Sequence, residues 1–515
     1  MLVDNCRFSD LNNLGVVSYD ATMTLTKNVF TKIHHGVDAT STAPMLGNLQ
    51  IGSINPSFGN TFVTNDVGIY GSNPDKMMVQ NNIFQDNQFG VALTGTSQFN
   101  IIENSFSLHD FAISAQQTGS NYNNISCNTH TDDYVGIDIL GFNRGLVFMN
   151  QTFKTSYDVH LVNVGATPGT IPHQGSNGNA VWNYFSISNF QHINTTGTTS
   201  AFYYFHPNPS LVLRSKPKCS INFPAGCLAP NNFTTSQTTG GGYLCNKEGG
   251  PKERMMPSTL EALEEIREQI SSIDLTNGST EDSILYDGLI LNESKILWEL
   301  VNNYVSDEDY NDAIELLKTS ESDIAKQGIF GIYLKIRDYE NAEASLNELS
   351  SDLLNDQYFK QVQTINLNRL KTKSLQLSEE EIEVLTVISN SDEASSSYAK
   401  GLLSNMLGTI YEPTPSAFEI GDYRKGEEKT NVEKLKIYPN PSNEIVTIYI
   451  PKCQNNNCIM DILIVNQFGI EVFNKKNLDS GNIIINSKDI GSGLFLVNLT
   501  ENGESRSQQK LVFIK

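Results

Sequence analysis

The chain has 515 residues, which is too long for one hydrophobic core, so three or more domains are expected. Acidic residues outnumber basic ones by 57 to 35, and the formal net charge of −22 argues against a nucleic-acid-binding protein. Apolar runs fall short of the ~18 residues that a membrane-spanning helix requires, so no transmembrane segment is expected.

The charge is unevenly distributed and divides the chain into compositional regions. Residues 252–410 hold 30 acidic and 13 basic residues, whereas the parts on either side are close to neutral. Gly- and Pro-rich stretches mark both boundaries. The predicted organisation is a repeat region at 1–215, a Cys/Gly/Pro-rich cap and linker at 216–256, an α-helical domain at 257–410, a linker at 411–434 and a small β-sandwich at 435–515.

The first region is built on a repeated Asn-x-Phe triplet. Its clearest copies contain the pairs Asn28/Phe30, Asn60/Phe62, Asn82/Phe84 and Asn104/Phe106, and the last three copies are 22 residues apart. Six residues after each Phe comes a small residue followed by a β-branched one, in the pairs Gly36-Val37, Gly68-Ile69, Gly90-Val91 and Ala112-Ile113. A fixed period of this length is typical of solenoids, in which each repeat contacts only its neighbours.

Short β-branched and aromatic runs broken by Gly, Asn and Asp favour strands over helices here. The region resembles secreted right-handed parallel β-helix repeat proteins, whose coils stack about 4.8 Å apart. In that fold the four Phe residues are expected to form an internal aromatic stack, and the four Asn residues an amide ladder. The 32-residue step from Phe30 to Phe62 predicts a ten-residue loop insertion around Ala43-Pro44.

The resemblance raises an enzymatic alternative, because polysaccharide lyases and glycoside hydrolases are common on the β-helix fold. The weak catalytic candidates are Asp66, Asp110, His130, Asp132 and Asp133. Asp66 and Asp110 share a column two coils apart, which predicts a separation of about 9–10 Å. Turn positions, however, use Asp for its own backbone hydrogen bonds. The Asn-Thr-Asp, Gly-His-Gly and Arg-Ile-Lys signatures of polygalacturonase-like hydrolases are also absent from the sequence.

The histidines of this region do not suggest a metal or cofactor site. His34, His35 and His173 are interpreted as solvated loop residues. No metal site and no cofactor are therefore predicted. Ca²⁺ is considered only under the lyase alternative, where carboxylates could hold it.

The second region changes to a helical period. Ser378 and Glu381 have the spacing of a capping box that opens a helix. Two segments that begin with Tyr310 and Tyr339 echo each other, with Ala313 and Ala342 at matching positions. This loosely resembles tetratricopeptide helical hairpins. This pattern is compatible with a partner-binding groove. It is also compatible with a solvated spacer in which the Tyr and Ala residues form the core, and the spacer is favoured.

The third region carries alternating strand patterns that predict a β-sandwich. It opens with Tyr438-Pro439-Asn440-Pro441, has a turn at Gly469 and a Gly-x-Phe-x-Val strand from Gly493, and ends in a basic and apolar segment from Lys510. In this order the motifs resemble the type A C-terminal sorting domain of the Bacteroidetes type IX secretion system. The resemblance implies handling by the outer-membrane translocon, and removal by a sortase-like protease that cuts in the preceding linker.

Cysteine usage is compatible with export. Cys453 and Cys458 bracket a short loop that a disulfide could close, and one pair is expected among Cys219, Cys227 and Cys245. Because the total of seven cysteines is odd, at least one thiol is left without an assigned disulfide partner. Zinc would require four ligands at tighter spacing.

The N-terminal residues lack the basic segment and the apolar h-region of a signal peptide. Cys6-Arg7-Phe8 already fits the repeat frame, so the chain is expected to be the C-terminal part of a longer secreted protein or a truncated reading frame. An exposed β-helix edge is expected at residues 1–10.

The sequence thus favours a secreted or surface-anchored protein with a non-catalytic role in adhesion or glycan binding. A polysaccharide lyase or glycoside hydrolase and a purely structural stalk are the alternatives. Converging acid pairs in a groove would favour the enzyme, an exposed aromatic row would favour binding, and a smooth polar surface would favour the stalk.

Overall fold

The N-terminal region is a parallel β-solenoid of about seven turns. The computed structural model of the chain describes residues 1–10, 13–73, 76–95, 98–175, 181–186, 192–200, 202–206, 233–235, 258–275, 278–374, 376–416, 435–438, 442, 444–450, 459–466, 471–478, 480–502 and 504–513. Each turn of the solenoid contributes one short strand to each of three parallel sheets, named A, B and C in chain order.

The three sheets run the length of the solenoid. Sheet A contains Leu2–Asp4, Thr22–Thr26, Asn48–Gly52, Met77–Gln80, Phe99–Ile102, Asn123–Ser126 and Leu146–Met149. Sheet B contains Arg7–Ser9, Val29–Thr31, Thr61–Val63, Ile83–Gln85, Ser105–Ser107, Thr129–Thr131 and Thr152–Lys154. Sheet C contains Leu14–Tyr19, His35–Thr40, Val67–Ser72, Phe89–Thr94, Phe111–Gln116, Val135–Leu140, Tyr157–Val162 and Ile193–Thr196. Tyr204–His206 and Phe233–Thr235 form a separate parallel pair.

The predicted aromatic stack is confirmed. Phe30, Phe62, Phe84 and Phe106 pair in register in sheet B, and their rings stack with centroids 4.7–4.8 Å apart. This distance is the spacing of neighbouring strands in a sheet. The repeat places one Phe on each coil, so the coil spacing sets the distance between the stacked rings. Burial of each Phe side chain stabilises the fold by about 1.5–3 kcal/mol.

The predicted asparagine ladder is confirmed as well. Asn60 donates its backbone N–H and its side-chain amide to Oδ1 of Asn82, both at 2.9 Å. Asn82 makes the same two bonds to Asn104, and Asn28 makes them to Asn60. These asparagines are buried, so the ladder satisfies polar groups that the bend between sheets A and B would otherwise leave without partners.

The bend between sheets B and C is made by residues in the left-handed region. Asp86 and Asp132 have φ values of 52° and 57°. Asp tolerates this conformation better than most residues, which explains its use here. The extra residues between Phe30 and Phe62 lie in two places rather than in one insertion. Residues 41–47 form a long connection from sheet C to sheet A, and residues 53–60 form another from sheet A to sheet B.

The helical region consists, in its described part, of Leu260–Ser271, Thr280–Ser306, Tyr310–Lys318, Asp323–Lys335, Tyr339–Glu348, Leu354–Thr372, Glu379–Ser389 and Ser396–Leu407. Ser378 and Glu381 form the predicted capping box, with both reciprocal hydrogen bonds present. Tyr310 and Tyr339 begin their helices, and Ala313 and Ala342 are fully buried, so the Tyr/Ala stripe is core.

The helical region packs against the solenoid, and together they form one compact unit, Met1–Phe418. Residues 41–47, named the docking loop, enter the helical cores through Ala43 and Met45. Gln363 donates to the carbonyl of Thr42 at 2.9 Å, and Lys335 donates to the carbonyl of Met45 at 3.0 Å. The docking loop therefore fixes where the helices sit on the solenoid.

The outer face of sheet C is covered, whereas that of sheet B is exposed. Strand Phe89–Thr94 of sheet C is buried at every position, but Ile83–Gln85 of sheet B alternates between exposed and buried. The cover consists of the last helix, Ser396–Leu407, and of residues 409–416, named the strap. Ser72 of sheet C donates to the carbonyl of Ser397 in that helix at 3.1 Å.

The second compact unit, Glu419–Lys515, contains two antiparallel sheets. One sheet is formed by Lys436–Tyr438, Ile445–Ile450 and Gly481–Asn486, and the other by Met460–Asn466, Glu471–Leu478, Gly493–Glu501 and Glu504–Phe513. A short helix, Ser487–Ile490, also belongs to this unit. Val446, Ile462, Val497 and Leu511 are among the fully buried residues of its core.

No helix in the described part of the chain is both long enough and apolar enough to cross a membrane.

Candidate functional site

Two histidines of the second coil meet a glutamate of the strap. His34 lies at the bend before sheet C, and His35 is the first residue of strand His35–Thr40. Nε2 of His34 is 2.6 Å from Oε1 of Glu412, and Nε2 of His35 is 3.4 Å from Oε2 of the same carboxylate. The two imidazole rings stack with centroids 4.6 Å apart. We name His34, His35 and Glu412 the histidine cluster.

A second carboxylate holds each histidine from the other side. Nδ1 of His34 is 2.8 Å from Oδ2 of Asp66, one coil further along. Nδ1 of His35 is 3.1 Å from Oδ2 of Asp38, which lies on the same strand and is buried. Both rings are therefore oriented through both of their nitrogens.

These contacts shift the ionisation of the cluster. Hydrogen bonds to Asp66 and then to Glu412 raise the pKa of His34 to about 10. Hydrogen bonds from His34 and then from His35 lower the pKa of Glu412 to about 2. Burial acts to lower the pKa of His35, but its bonds to Asp38 and Glu412 outweigh burial and raise it. At neutral pH His34 is therefore protonated and Glu412 is ionised, and a hydrogen bond joins the two charged groups.

The interpretation as solvated loop residues was wrong for His35 and His173, whereas His34 lies in a bend and its side chain is 28% exposed. His35 is fully buried and pairs in register with Leu14 on one side and Val67 on the other. His173 is also largely covered, and its Nε2 lies 3.3 Å from a carboxylate oxygen of Asp287 in the helical region.

A shallow cleft lies beside the cluster on the outer face of sheet C. Its enclosed volume is only about 10 Å³, so it is a shallow depression that is otherwise open to solvent. Three consecutive coils line its floor, with Tyr70 from one, Ala92, Leu93 and Thr94 from the next, and Ser114 and Gln116 from the third. Lys400 and strap residues Glu412, Pro413 and Thr414 form its wall.

The charged and phenolic groups of the cleft are perturbed by burial. Burial lowers the pKa of Lys400, while Asp392 acts in the opposite direction. Burial raises the pKa of Tyr70, and the charges of Asp38 and Glu412 raise it further. Tyr70 therefore keeps its hydroxyl proton at neutral pH and is able to donate a hydrogen bond.

The catalytic candidates from the sequence do not come together in this cleft. His130 and Asp133 are buried inside the solenoid, where Nδ1 and the backbone N–H of His109 donate to Asp133. Asp132 is exposed on the outside of the bend. Asp66 is bound to His34, and Asp110 lies two coils beyond Asp66 in the same column.

The histidine cluster was missed for an identifiable reason. In the repeat frame His35 occupies the column of Val67, Phe89, Phe111 and Val135, so its burial was readable from the sequence. Glu412 was not readable, because it lies 378 residues from His34 in a segment that has no repeat.

The disulfide candidates Cys219, Cys227, Cys245, Cys453 and Cys458 lie outside the described residues, as do Pro439, Asn440, Pro441 and Gly469 of the sorting motif. The other motif residues lie on strands of the second unit. Tyr438 ends Lys436–Tyr438, Gly493 begins Gly493–Glu501, and Lys510 lies in Glu504–Phe513.

A family model described as a secretion system C-terminal sorting domain matches residues 436–515. No curated protein and no solved structure matches the chain. The match coincides with the segment that the sequence motifs predicted and with the antiparallel sheets of the second unit. Its presence implies handling by the type IX secretion system, and with it export to the cell surface or the medium. Residues 436–515 are therefore a C-terminal sorting domain of the type IX secretion system.

Proposed function

We propose that residues 1–416 are the exported working part of the protein and bind extracellular glycans without cleaving them. The observation that supports this most is the floor of the cleft, where hydroxyl and amide groups from consecutive coils face one opening. Thr94 and Gln116 pair in register on adjacent strands, so these two polar residues are spaced by about 4.8 Å along the solenoid.

The cleft offers both directions of hydrogen bonding. Ser114 and Thr94 donate and accept through their hydroxyl groups, and Gln116 does so through its amide. Lys400 adds a donor and Glu412 an acceptor on the opposite wall. Sugar hydroxyl groups require such mixed partners. The shallow shape suits part of a surface polymer better than an enclosed small molecule.

The arrangement of carboxylates supports binding rather than cleavage. Glycoside hydrolysis uses a pair of carboxyl groups on either side of the scissile bond. Among the residues lining the cleft, Glu412 is the single carboxylate, and both histidines of the cluster already bind it. The proposal therefore assigns no catalytic role to Asp66, Asp110 or Asp132.

One observation favours a structural stalk as a second candidate. The outward columns of sheet B carry mainly short hydroxyl side chains, from Ser9, Thr31, Thr61, Ser105, Ser107, Thr129, Thr131 and Thr152. This is the smooth polar surface expected of a stalk. The two functions are compatible, because sheet B and the cleft on sheet C are different faces of the solenoid.

A binding measurement on the full chain separates these functions. Immobilised neutral and acidic polysaccharides are probed with the wild type, with Ser114→Leu and Lys400→Met, and with the control Ser105→Leu, which changes an exposed serine of sheet B in the same coil. We expect the two cleft variants to bind about tenfold more weakly and the control to bind like the wild type. New reducing ends in the polysaccharide would show that the protein is an enzyme instead. Equal binding behaviour of all four proteins would leave the structural stalk as the remaining function.

A further inference from the structure

The histidine cluster has the composition of a transition-metal site. Its two imidazoles and one carboxylate offer ligand atoms that all lie within 4.8 Å of one another. Neutral imidazole nitrogen and carboxylate oxygen are the ligands that Zn²⁺ takes from His and Glu. A group of acidic residues alone is common on protein surfaces and does not indicate a metal site. Two imidazoles directed at one carboxylate are a more specific combination.

The outer contacts supply an independent observation. In protein zinc sites a ligating histidine almost always gives its other ring N–H to a carboxylate or a carbonyl, which fixes the tautomer and the orientation of the ring. Here Nδ1 of His34 faces Asp66 at 2.8 Å, and Nδ1 of His35 faces Asp38 at 3.1 Å. Both histidines thus already have the outer partner that a metal ligand requires, and Nε2 of each faces the Glu412 carboxylate on the inner side.

We propose that His34, His35 and Glu412 bind one zinc ion, through Nε2 of each histidine and a carboxylate oxygen of the glutamate. Asp66 and Asp38 are positioning residues, which hold the two rings. This zinc site is separate from the proposed glycan-binding function and does not depend on it. Bound zinc takes the place of the Nε2 protons, which are released to solvent.

The distances fit an ion after a small movement. Two ligand atoms about 2.0–2.1 Å from a tetrahedral ion lie about 3.3 Å from each other. The His35–Glu412 contact is 3.4 Å, and the His34–Glu412 contact is 2.6 Å. The second contact must open, and the Glu412 side chain that has to move is 55% exposed. Water takes the fourth position from that exposed side.

Zinc at this position would fasten the strap to the solenoid. The strap also reaches sheet C through the half-buried Tyr411, which packs on the apolar outer cluster of that sheet. Coordination joins residues 378 positions apart in the chain. The strap is then attached to the second coil by metal–ligand bonds.

Zinc stoichiometry of the full chain tests the proposal. The protein is stripped with a chelator, loaded with ZnSO₄ and titrated against a chromophoric chelator, with CaCl₂ as the comparison ion. The wild type should bind one zinc per chain and no calcium with comparable affinity. Glu412→Gln should abolish this binding, and Asp66→Asn should raise the zinc Kd by about 10–100-fold. His173→Gln, which changes a covered histidine outside the cluster, should bind zinc like the wild type.

A second measurement distinguishes loss of the site from loss of the fold. Hydrogen exchange of residues 409–416 should slow when zinc is added to the wild type and should not change in Glu412→Gln. Because Glu412 is exposed, its substitution leaves the solenoid core intact, which a thermal melt without zinc verifies. Absence of zinc binding, or equal stoichiometry in Glu412→Gln, would show that the cluster is only a hydrogen-bonded ion-pair network. Ser114→Leu should leave zinc binding unchanged, so this result is independent of the glycan assay.

Discussion

A single histidine interrupts the aromatic stack inside the solenoid. His130 lies between Phe106 and Phe153, with ring centroids 5.3 Å and 4.9 Å away. Its Nε2 is 3.1 Å from the side-chain oxygen of Gln151, which stands in the column of the asparagine ladder. Burial lowers the pKa of His130 to about 4. The ring is therefore neutral in the folded protein at neutral pH.

This residue predicts an acid-sensitive stability. Between pH ~6.5 and about 4 the unfolded chain binds a proton on His130 that the folded chain does not, so stability falls as the pH is lowered through this window. In the double variant His130→Phe/Gln151→Asn, a Phe continues the stack and an Asn continues the ladder. We expect its urea midpoint to fall less than that of the wild type between pH 7 and pH 4.5. Equal losses in both proteins would assign the acid sensitivity to other groups.

The positions of the buried Phe and Asn residues could be predicted from the sequence, because each recurs at a fixed place in the repeat. The Phe and Asn columns were visible at a fixed period, and the structure places them in register. Burial of His35 was encoded in the same columns but was overlooked, because a polar residue replaces an apolar one there. The histidine cluster as a whole could not be predicted, since Glu412 reaches it through tertiary packing of a segment without a repeat.

At the level of elements, the docking loop couples the solenoid to the helices. Helix Asp323–Lys335 approaches this loop so closely that a Cβ atom on Gly331 would lie 2.1 Å from the carbonyl oxygen of Pro44. A backbone atom cannot move away as a side chain can. Glycine is therefore required at this position by the contact with the loop rather than by the helix itself.

A pair of matched substitutions tests this contact. Gly331→Ala should lower the free energy of unfolding by about 1–3 kcal/mol, because the methyl group displaces the docking loop. Gly288→Ala lies in helix Thr280–Ser306 with nothing within 4 Å of the added carbon, so it should raise stability by up to about 1 kcal/mol. Denaturant unfolding of both variants measures the difference. A stabilising Gly331→Ala would show that the loop yields without cost.

The position of the docking loop could be predicted only in part. The 32-residue step from Phe30 to Phe62 indicates an insertion. In the structure the inserted residues are divided between two connections, at 41–47 and 53–60. The first is long enough to enter the helical cores, and its small and apolar residues Ala43 and Met45 suit that environment. Nothing local in the sequence specifies which helices receive the loop, because the contact spans about 300 residues.

At the level of the whole molecule, the strap is the C-terminal end of the first compact unit and precedes the sorting domain in the sequence. It is packed rather than free, since Tyr411 lies on the apolar cluster of sheet C and Glu412 binds both histidines. Proteases cut segments that can leave the folded surface. Cleavage before residue 417 would require the strap to be released first.

The mature protein is therefore expected to keep the strap. Intact mass spectrometry of the chain recovered from the cell surface or medium should place its C-terminus between residues 417 and 435. A strain without the sorting protease should yield the full-length chain as the control. A terminus before Tyr411 would contradict the prediction and would show that the strap detaches during export.

The contacts between the helical region and the solenoid lead to an expectation about mechanical load. In a bare solenoid each coil touches only its neighbours, so a force applied at one end peels the coils off one at a time. Here the helical region touches several coils at once, through Thr42, Ser72 and Gln117. Tension arriving from a surface anchor at the C-terminal end would enter through the strap and act on these contacts in parallel. The coils would then have to be sheared together, which requires a greater force than peeling them in turn.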